Sequence, residues 1–295
     1  MLSLYRCNTL ARCSSLGYDI SMWPVIFSLG RFELRTASVF LFLGVFFGAY
    51  VFWKRGKEEH YSEMDLFDSF LASLLFGFFL GRLAFIFFNI EQLGVNLIKW
   101  LDIFSYPGVN MTILFMAAGI YLYRFSLKKR WDVFEVLDFS VGAFSLSQFF
   151  IWLGLFFDGT GFGVKTNLPV GMIFPSVFEK HHPVQLYYLI FYLGLFIYLV
   201  RVEYKYRTYA WYRHGKKTAQ TGFLTSMFFV FFGLFTFIIS FFSLPSFVVG
   251  GVRLDFFLSL FSLLFGLFLL GLRSGRISTK FFGKRNKRLL ETFKV

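Results

Sequence analysis

Lys180-His181-His182-Pro183-Val184-Gln185-Leu186-Tyr187-Tyr188 joins a glycine-rich, proline-bounded loop to a long apolar run. That run, 184–200, contains no charged residue. A segment so long and so apolar reads as a membrane helix. Two of the four histidines of the chain stand at its mouth. Pro183 suits the first turn of a helix, where its missing N–H is no loss. With His182 as N-cap, Gln185 falls at the third helical position, and its amide is predicted to reach back to the open backbone N–H. The histidine pair has two readings. One is a pair of solvated loop residues before an ordinary helix start. The other is titratable chemistry at the end of a membrane helix.

Working outward, the same apolar signal returns along the chain. Hydrophobic residues make up 57% of 295, with 48 Phe, and the mean hydropathy is +0.62. No soluble domain of this length buries so much apolar surface. The expected fold is all-α: a polytopic membrane helical bundle of about seven transmembrane helices, at 37–53, 67–89, 109–123, 133–157, 184–200, 223–244 and 256–272. Residues 1–21 lack periodicity and are expected to form a disordered N-terminal extension. Residues 22–272 are the membrane domain, and 273–295 a basic cytoplasmic tail. The segment 90–106 is amphipathic and is expected to lie at the membrane interface.

Charge sets the expected orientation. Lys54, Arg55 and Lys57 follow the first span, and Arg124, Lys128, Lys129 and Arg130 follow the third. A basic loop at 201–217 follows the fifth span, and the basic tail follows the seventh. Of the alternate loops, those after the second and fourth spans carry only Lys99, Lys165 and Lys180. Cytoplasmic loops collect Lys and Arg, so the N-terminus is expected outside and the C-terminus inside. The net charge of +13 is then a topology signal, with some attraction to anionic lipid. It does not call for nucleic acid. Cys7 and Cys13 are too few to form a disulfide framework. There is no fixed-period repeat and no inverted pair of halves of the transporter kind.

Few residues stand out as carriers of chemistry. Arg82 lies within the second span, ~10 Å from its outer end at ~1.5 Å per residue. A charge there reads as functional, or as a side chain snorkelling to the headgroups. The fourth span carries Asp132, Glu135 and Asp138 near its inner end, where negative charge suits a helix N-terminus. Ser147 and Gln148 near its middle suit hydrogen bonding between helices. The loop Asp158-Gly159-Thr160-Gly161-Phe162-Gly163 is rich in glycine, which lets backbone approach a ligand closely. There is no P-loop, HExxH, CxxC or GxSxG pattern, and neither metal nor cofactor is expected. Arg82, His181, His182, Gln185 and the glycine loop together suit chemistry on a phospholipid. The cation would bind phosphate and a histidine would accept a proton.

These stretches together resemble the prolipoprotein diacylglyceryl transferase family of bacterial inner membranes. The family's His-Pro-x-Gln-Leu-Tyr-Glu is similar to His182 through Tyr188. Its Gly-x-Arg-Leu with a later Asn is similar to Gly81-Arg82-Leu83 and Asn89. Its Leu-Pro-Trp-(Gly/Ala)-x-x-Phe-Pro is similar to Leu168 through Pro175. Its Leu-Leu-Asp in the fourth span is similar to Val136-Leu137-Asp138. Its opening segment is similar to Pro24-Val25-Ile26-Phe27-Ser28 with Leu34-Arg35. The order holds from about Met22 to Leu272.

The resemblance implies a transferase that joins the diacylglyceryl group of phosphatidylglycerol to the lipobox cysteine of a prolipoprotein signal peptide. It implies His182 as the catalytic residue, with Arg82, Asn89, Gly154, Asp158, Gly159, Gln185 and Tyr187 binding substrate. The chain also departs from the pattern. In the family's Arg-Ile-Gly-Asn-Phe-Ile-Asn-Gly-Glu, the arginine falls on Trp152, the first asparagine on Leu155 and the glutamate on Thr160. The family histidine of the third span falls on Thr112, and a tyrosine near the first span on Ala37. In the late Arg-x-x-x-Glu-Phe-Phe-Arg-x-Pro, Thr236 and Ser240 stand in charged places. The glutamate that closes the histidine motif is Tyr188. Arg35, Lys165 and Lys180 are cations on the expected outer side that could compensate. Two readings stand: an enzyme with a rearranged site, and a catalytically inactive member that binds lipid or a partner.

Overall fold

The computed structural model describes residues 22–29, 32–90, 94, 96, 97, 100, 102, 108–205, 221–245, 248–249 and 252–273. The extension 1–21, most of the interfacial segment 90–106, much of the basic loop after the fifth span and the tail beyond Arg273 lie outside these residues. Seven long helices are formed among the described residues: α1 (Thr36–Glu58), α2 (Glu63–Phe88), α3 (Met111–Lys129), α4 (Val133–Asp158), α5 (Val184–Glu203), α6 (Phe223–Ile239) and α7 (Leu254–Arg273). Helices α1, α2, α4, α5 and α7 are long and apolar enough to cross a membrane, and the chain is a multi-pass membrane protein. Helix α6 is equally apolar but has 17 residues.

Three two-stranded antiparallel hairpins accompany the helices, an addition to the all-helical expectation. They are β1 (Val25–Leu29) with β2 (Phe32–Arg35), β3 (Met172–Ile173) with β4 (Lys180–His181), and β5 (Val248–Val249) with β6 (Val252–Arg253). The strands are too short to register as periodic alternation, so an apolar pattern does not report them. Helix α6 stops at Ile239, five residues before the predicted end. The backbone of the following residues is used elsewhere: Val164 N–H donates to Phe242 O at 2.8 Å, and Ser243 bridges to Gly163.

The chain divides into two compact units. The first comprises Met1–Phe46, Ser145–Arg201 and Met227–Phe268. In it, α6 and α7 pack through small residues. A Cβ on Gly233 would come within 2.8 Å of Leu263 Cα, and one on Gly266 within 2.6 Å of Val230 N. Ser262 donates to Phe229 O across the same contact. With no water to drive helices together in lipid, such backbone proximity is what holds them. Gly154 does the same between α4 and α1, where a Cβ would meet Ala37 Cα at 3.3 Å.

The second unit comprises Phe47–Phe144, Val202–Ser226 and Leu269–Val295. Its core is Phe52, Leu66, Val136, Phe139 and Ala143, with Tyr61, Phe70 and Trp131 packed against it. Helices α2 and α3 meet at Gly77, where a Cβ would lie 2.6 Å from Leu114 O. Asn110 caps α3, its side chain accepting from Ile113 N–H at 3.0 Å. Asp138 lies near the start of α4. It is buried, and accepts from Gly222 N–H, Thr225 N–H and Thr225 Oγ1 at 2.7–2.8 Å. It thus caps the start of α6 from a neighbouring helix, satisfying donors that a helix N-terminus leaves open.

Candidate functional site

In the first unit, the site residues are gathered by the end of α4 and the start of α5. Helix α4 closes with a left-handed turn. Gly159 has φ +73°, Gly159 N–H bonds Phe156 O, and Thr160 N–H bonds Leu155 O. This pair of bonds is the Schellman arrangement, which glycine adopts without steric cost. The reversal brings Thr160 back beside Asp158, and Thr160 Oγ1 donates to Asp158 Oδ2 at 3.0 Å. Arg35, at the end of β2, completes the group. Its Nε and Nη2 donate to the two Asp158 oxygens at 3.1 and 2.8 Å. The Asp158 side chain is 3% exposed and that of Arg35 is 54% exposed. The pair is bidentate, the strongest geometry a guanidinium offers a carboxylate.

Across the loop, β4 leads directly into α5. His181 pairs with Met172, and its Nδ1 lies 2.8 Å from Gly163 O. His182 N–H donates to Val164 O at 3.0 Å, and His182 O accepts from Gly163 N–H at 2.8 Å. The backbone N–H of His182 is therefore occupied, and the expected return bond from Gln185 does not form. Instead the Gln185 amide donates to Thr160 O at 2.9 Å, tying the start of α5 to the turn after α4. Gln185 is fully buried, and its Oε1 has no partner among the described residues. The His182 ring is buried against Phe242 with centroids 5.0 Å apart, and its Nδ1 lies 3.3 Å from the Tyr187 hydroxyl. Gly163 makes this approach possible: a Cβ there would come within 3.1 Å of His182 Cβ.

His182, Gln185, Tyr187, Asp158 and Gly159 are thus linked through one loop of the first unit. Gly154 belongs to the same unit, at the contact with α1. Arg82 and Asn89 belong to the second unit. Arg82 does not snorkel. It is buried, and donates to Gly108 O at 2.8 Å, Trp100 O at 3.2 Å and Asp102 O at 3.3 Å. Asn89 is the C-cap of α2, its amide donating to Phe85 O at 2.8 Å.

The replaced family positions have their own geometry. Trp152 stacks on Tyr188 at 4.1 Å and 8°. Tyr188 also stands edge-on to Phe235, which stacks on Phe191 at 3.9 Å. Two places where the resemblance led to the expectation of a charge form a single aromatic contact. Of the candidate compensating cations, Arg35 is paired with Asp158, and Lys165 with Glu179 at 2.5 Å. The sequence reading missed Thr160 as a partner of Asp158 and passed over Arg253. The only signal for Arg253 was a lone cation in the broken stretch between the last two spans.

A helical multi-pass membrane protein with a buried polar cluster at a helix-loop-helix junction is the class that fold and site define. Residues 24–272 match the model of the prolipoprotein diacylglyceryl transferase family, and the chain belongs to that family. It is similar to a phosphatidylglycerol–prolipoprotein diacylglyceryl transferase of Clostridium tetani (strain Massachusetts / E88), at 28% identity over 254 residues, covering 84% of this chain and 96% of the relative. A protein of the same name from Wolbachia sp. subsp. Drosophila simulans (strain wRi) is 28% identical over 244 residues, covering 80% and 88%. Another from Thermotoga maritima is 27% identical over 259 residues, covering 84% of each chain.

Proposed function

We propose that this chain is an integral transferase of the bacterial cytoplasmic membrane, crossing it seven times with its N-terminus outside. It moves the diacylglyceryl group of phosphatidylglycerol to the lipobox cysteine thiol of a prolipoprotein. The observation that carries this reading is His182. It is buried, hydrogen-bonded through Nδ1 to Tyr187, and flanked by the Gln185–Thr160 and Asp158–Arg35 links. In the tautomer whose Nδ1–H donates to Tyr187, Nε2 is the basic nitrogen. It takes the proton of the cysteine thiol, because the thiolate is the nucleophile. The sulfur–carbon bond forms as the carbon–oxygen bond to phosphate breaks. Glycerol phosphate leaves with the electron pair and accepts the proton from the imidazolium, and a thioether remains. Arg82, Asn89, Gly154, Asp158, Gly159, Gln185 and Tyr187 complete the proposed substrate-binding set.

A second reading is favoured by the Trp152–Tyr188 stack. An oxyanion-type donor contributes ~2.7–4 kcal/mol to a transition state, and an aromatic pair supplies none of it. On this reading the scaffold binds phosphatidylglycerol or a partner without turnover. Rescue of a transferase-depleted bacterium, with thioether formation on a lipobox peptide in vitro, decides between them. Rescue by the wild type and loss in His182→Ala support the enzyme. An inserted protein that gives neither rescue nor product, yet retains phosphatidylglycerol, supports the second reading.

A further inference from the structure

Two buried side-chain atoms lack a hydrogen-bond partner among the described residues: Gln185 Oε1, an acceptor, and Arg253 Nε, a donor. Buried polar atoms are nearly always satisfied, so each unsatisfied one calls for an explanation. Both belong to the first unit, and both are tied to one turn. Gln185 holds Thr160 O through its amide. Arg253 donates through Nη2 to Ser240 O at 2.9 Å and Ser243 O at 3.1 Å, and Ser243 bridges to Gly163. Thr160 and Gly163 are three residues apart, at most ~10 Å of chain.

The charge of Arg253 is also unanswered. No carboxylate lies within ion-pair distance of it among the described residues, whereas Arg35 and Lys165 each have one. Its guanidinium instead rests over the Phe256 ring at 5.2 Å. A cation half removed from water without a counter-charge is costly unless an anion arrives.

We propose that Arg253 and Gln185 are two anchors of a glycerophosphate headgroup site bordering the Thr160–Gly163 turn. Arg253 donates to a phosphate oxygen, and Gln185 Oε1 accepts from a headgroup hydroxyl. The ligand is an anionic glycerophospholipid whose headgroup carries hydroxyls. The assignment deepens the proposed function and rests on its lipid substrate.

The test uses the full chain in lipid nanodiscs. Retention of phosphatidylglycerol against phosphatidylcholine is measured by native mass spectrometry for the wild type, Arg253→Leu, Arg253→Lys, Gln185→Met and the exposed control Arg201→Leu. Wild-type preference for phosphatidylglycerol should fall roughly tenfold or more in Arg253→Leu, the loss expected for a hydrogen bond to a charged group. It should fall less in Arg253→Lys, clearly in Gln185→Met, and not in Arg201→Leu. A wild type that prefers phosphatidylglycerol, with Arg253→Leu and Arg253→Lys binding it equally well, overturns the role of Arg253 and leaves the proposed function standing. A wild type with no preference overturns the lipid reading itself. Soluble glycerol 3-phosphate should displace little lipid; a site that takes it as readily as the lipid is a free-ester site and overturns the assignment.

Discussion

The indole of Trp152 lies parallel to the phenol ring of Tyr188, with 4.1 Å between centroids and 8° between planes. One residue is on α4 and the other on α5, and each stands where the resemblance to the family led to the expectation of a charge. The two replacements are complementary: a charge left at either position would face an aromatic ring in a partly buried contact. The contact keeps α4 and α5 together without ionic groups.

Restoring one charge should therefore be worse than restoring both. Trp152→Arg or Tyr188→Glu loses stacking of ~0.5–1.5 kcal/mol and strands a charge. The double variant should recover ~0.5–3 kcal/mol of coupling, the range for residues in direct contact. Unfolding of the four proteins in detergent gives the cycle, and simple additivity would contradict the complementarity.

The Arg35–Asp158 pair is asymmetric in burial, so its two single variants should differ. Arg35→Ala leaves a carboxylate that is 3% exposed without its cation. A loss of about 2–3 kcal/mol is expected, below the ~3–5 for a wholly buried pair, because Arg35 is half in water. Asp158→Asn leaves an exposed arginine and should cost less. Arg35→Ala combined with Asp158→Asn should be milder than Arg35→Ala alone. Thermal melting of the purified proteins checks the order.

Asp138 accepts three hydrogen bonds at the buried start of α6. Asp138→Ala removes them and strands the Gly222 and Thr225 donors, at ~1–3 kcal/mol per stranded group. A total loss of about 3 kcal/mol or more is expected. Asp138→Asn, which keeps part of the acceptor set, should fall between. Denaturation in graded detergent mixtures measures this, and an unaffected Asp138→Ala would contradict the capping role.

Arg82 spans Trp100, Asp102 and Gly108 through their carbonyls. Arg82→Met should loosen the segment joining α2 to α3, and Arg82→Lys should do so partly, since ammonium lacks the planar fork. Faster protease cleavage between residues 90 and 108, with the rest of the chain protected, is the expected readout.

Tyr61, between α1 and α2, donates to Glu135 at 2.5 Å. Burial, reinforced by the hydrogen bond and the charge of Glu135, raises its pKa well above the ordinary value of 10.0. The folded state therefore holds this proton at pH values where the unfolded chain has lost it. The native state binds more protons, so stability falls as pH rises through about 10. Tyr61→Phe should flatten that fall in a melting-temperature series from pH 8 to 11.

The class of the fold was readable from the apolar runs, because a chain so rich in Phe and Leu has only the bilayer in which to expose them. The seven long helices begin and end within a few residues of those runs, apart from α1 and α3, which carry basic residues inside their last turns, and α6. All three exceptions lie where backbone hydrogen bonding outranks hydropathy. Glycine and proline marked the loop at 158–183, and the histidine motif marked the start of α5.

What local pattern could not supply was partnership. Whether the Gln185 amide turns to its own helix or to Thr160 depends on whether the His182 N–H is already occupied, and Val164, 18 residues earlier, decides that. Whether Arg82 reaches water or carbonyls depends on where Trp100, Asp102 and Gly108 lie. Arg253 was an unremarked cation in a broken stretch until the fold set it against Ser240 and Ser243. The apolar runs and the helix starts follow from the chemistry of neighbouring residues and were determined by the sequence alone. The polar site is made of groups distant along the chain whose few hydrogen bonds can be exchanged among many partners, and only the tertiary structure chose among them.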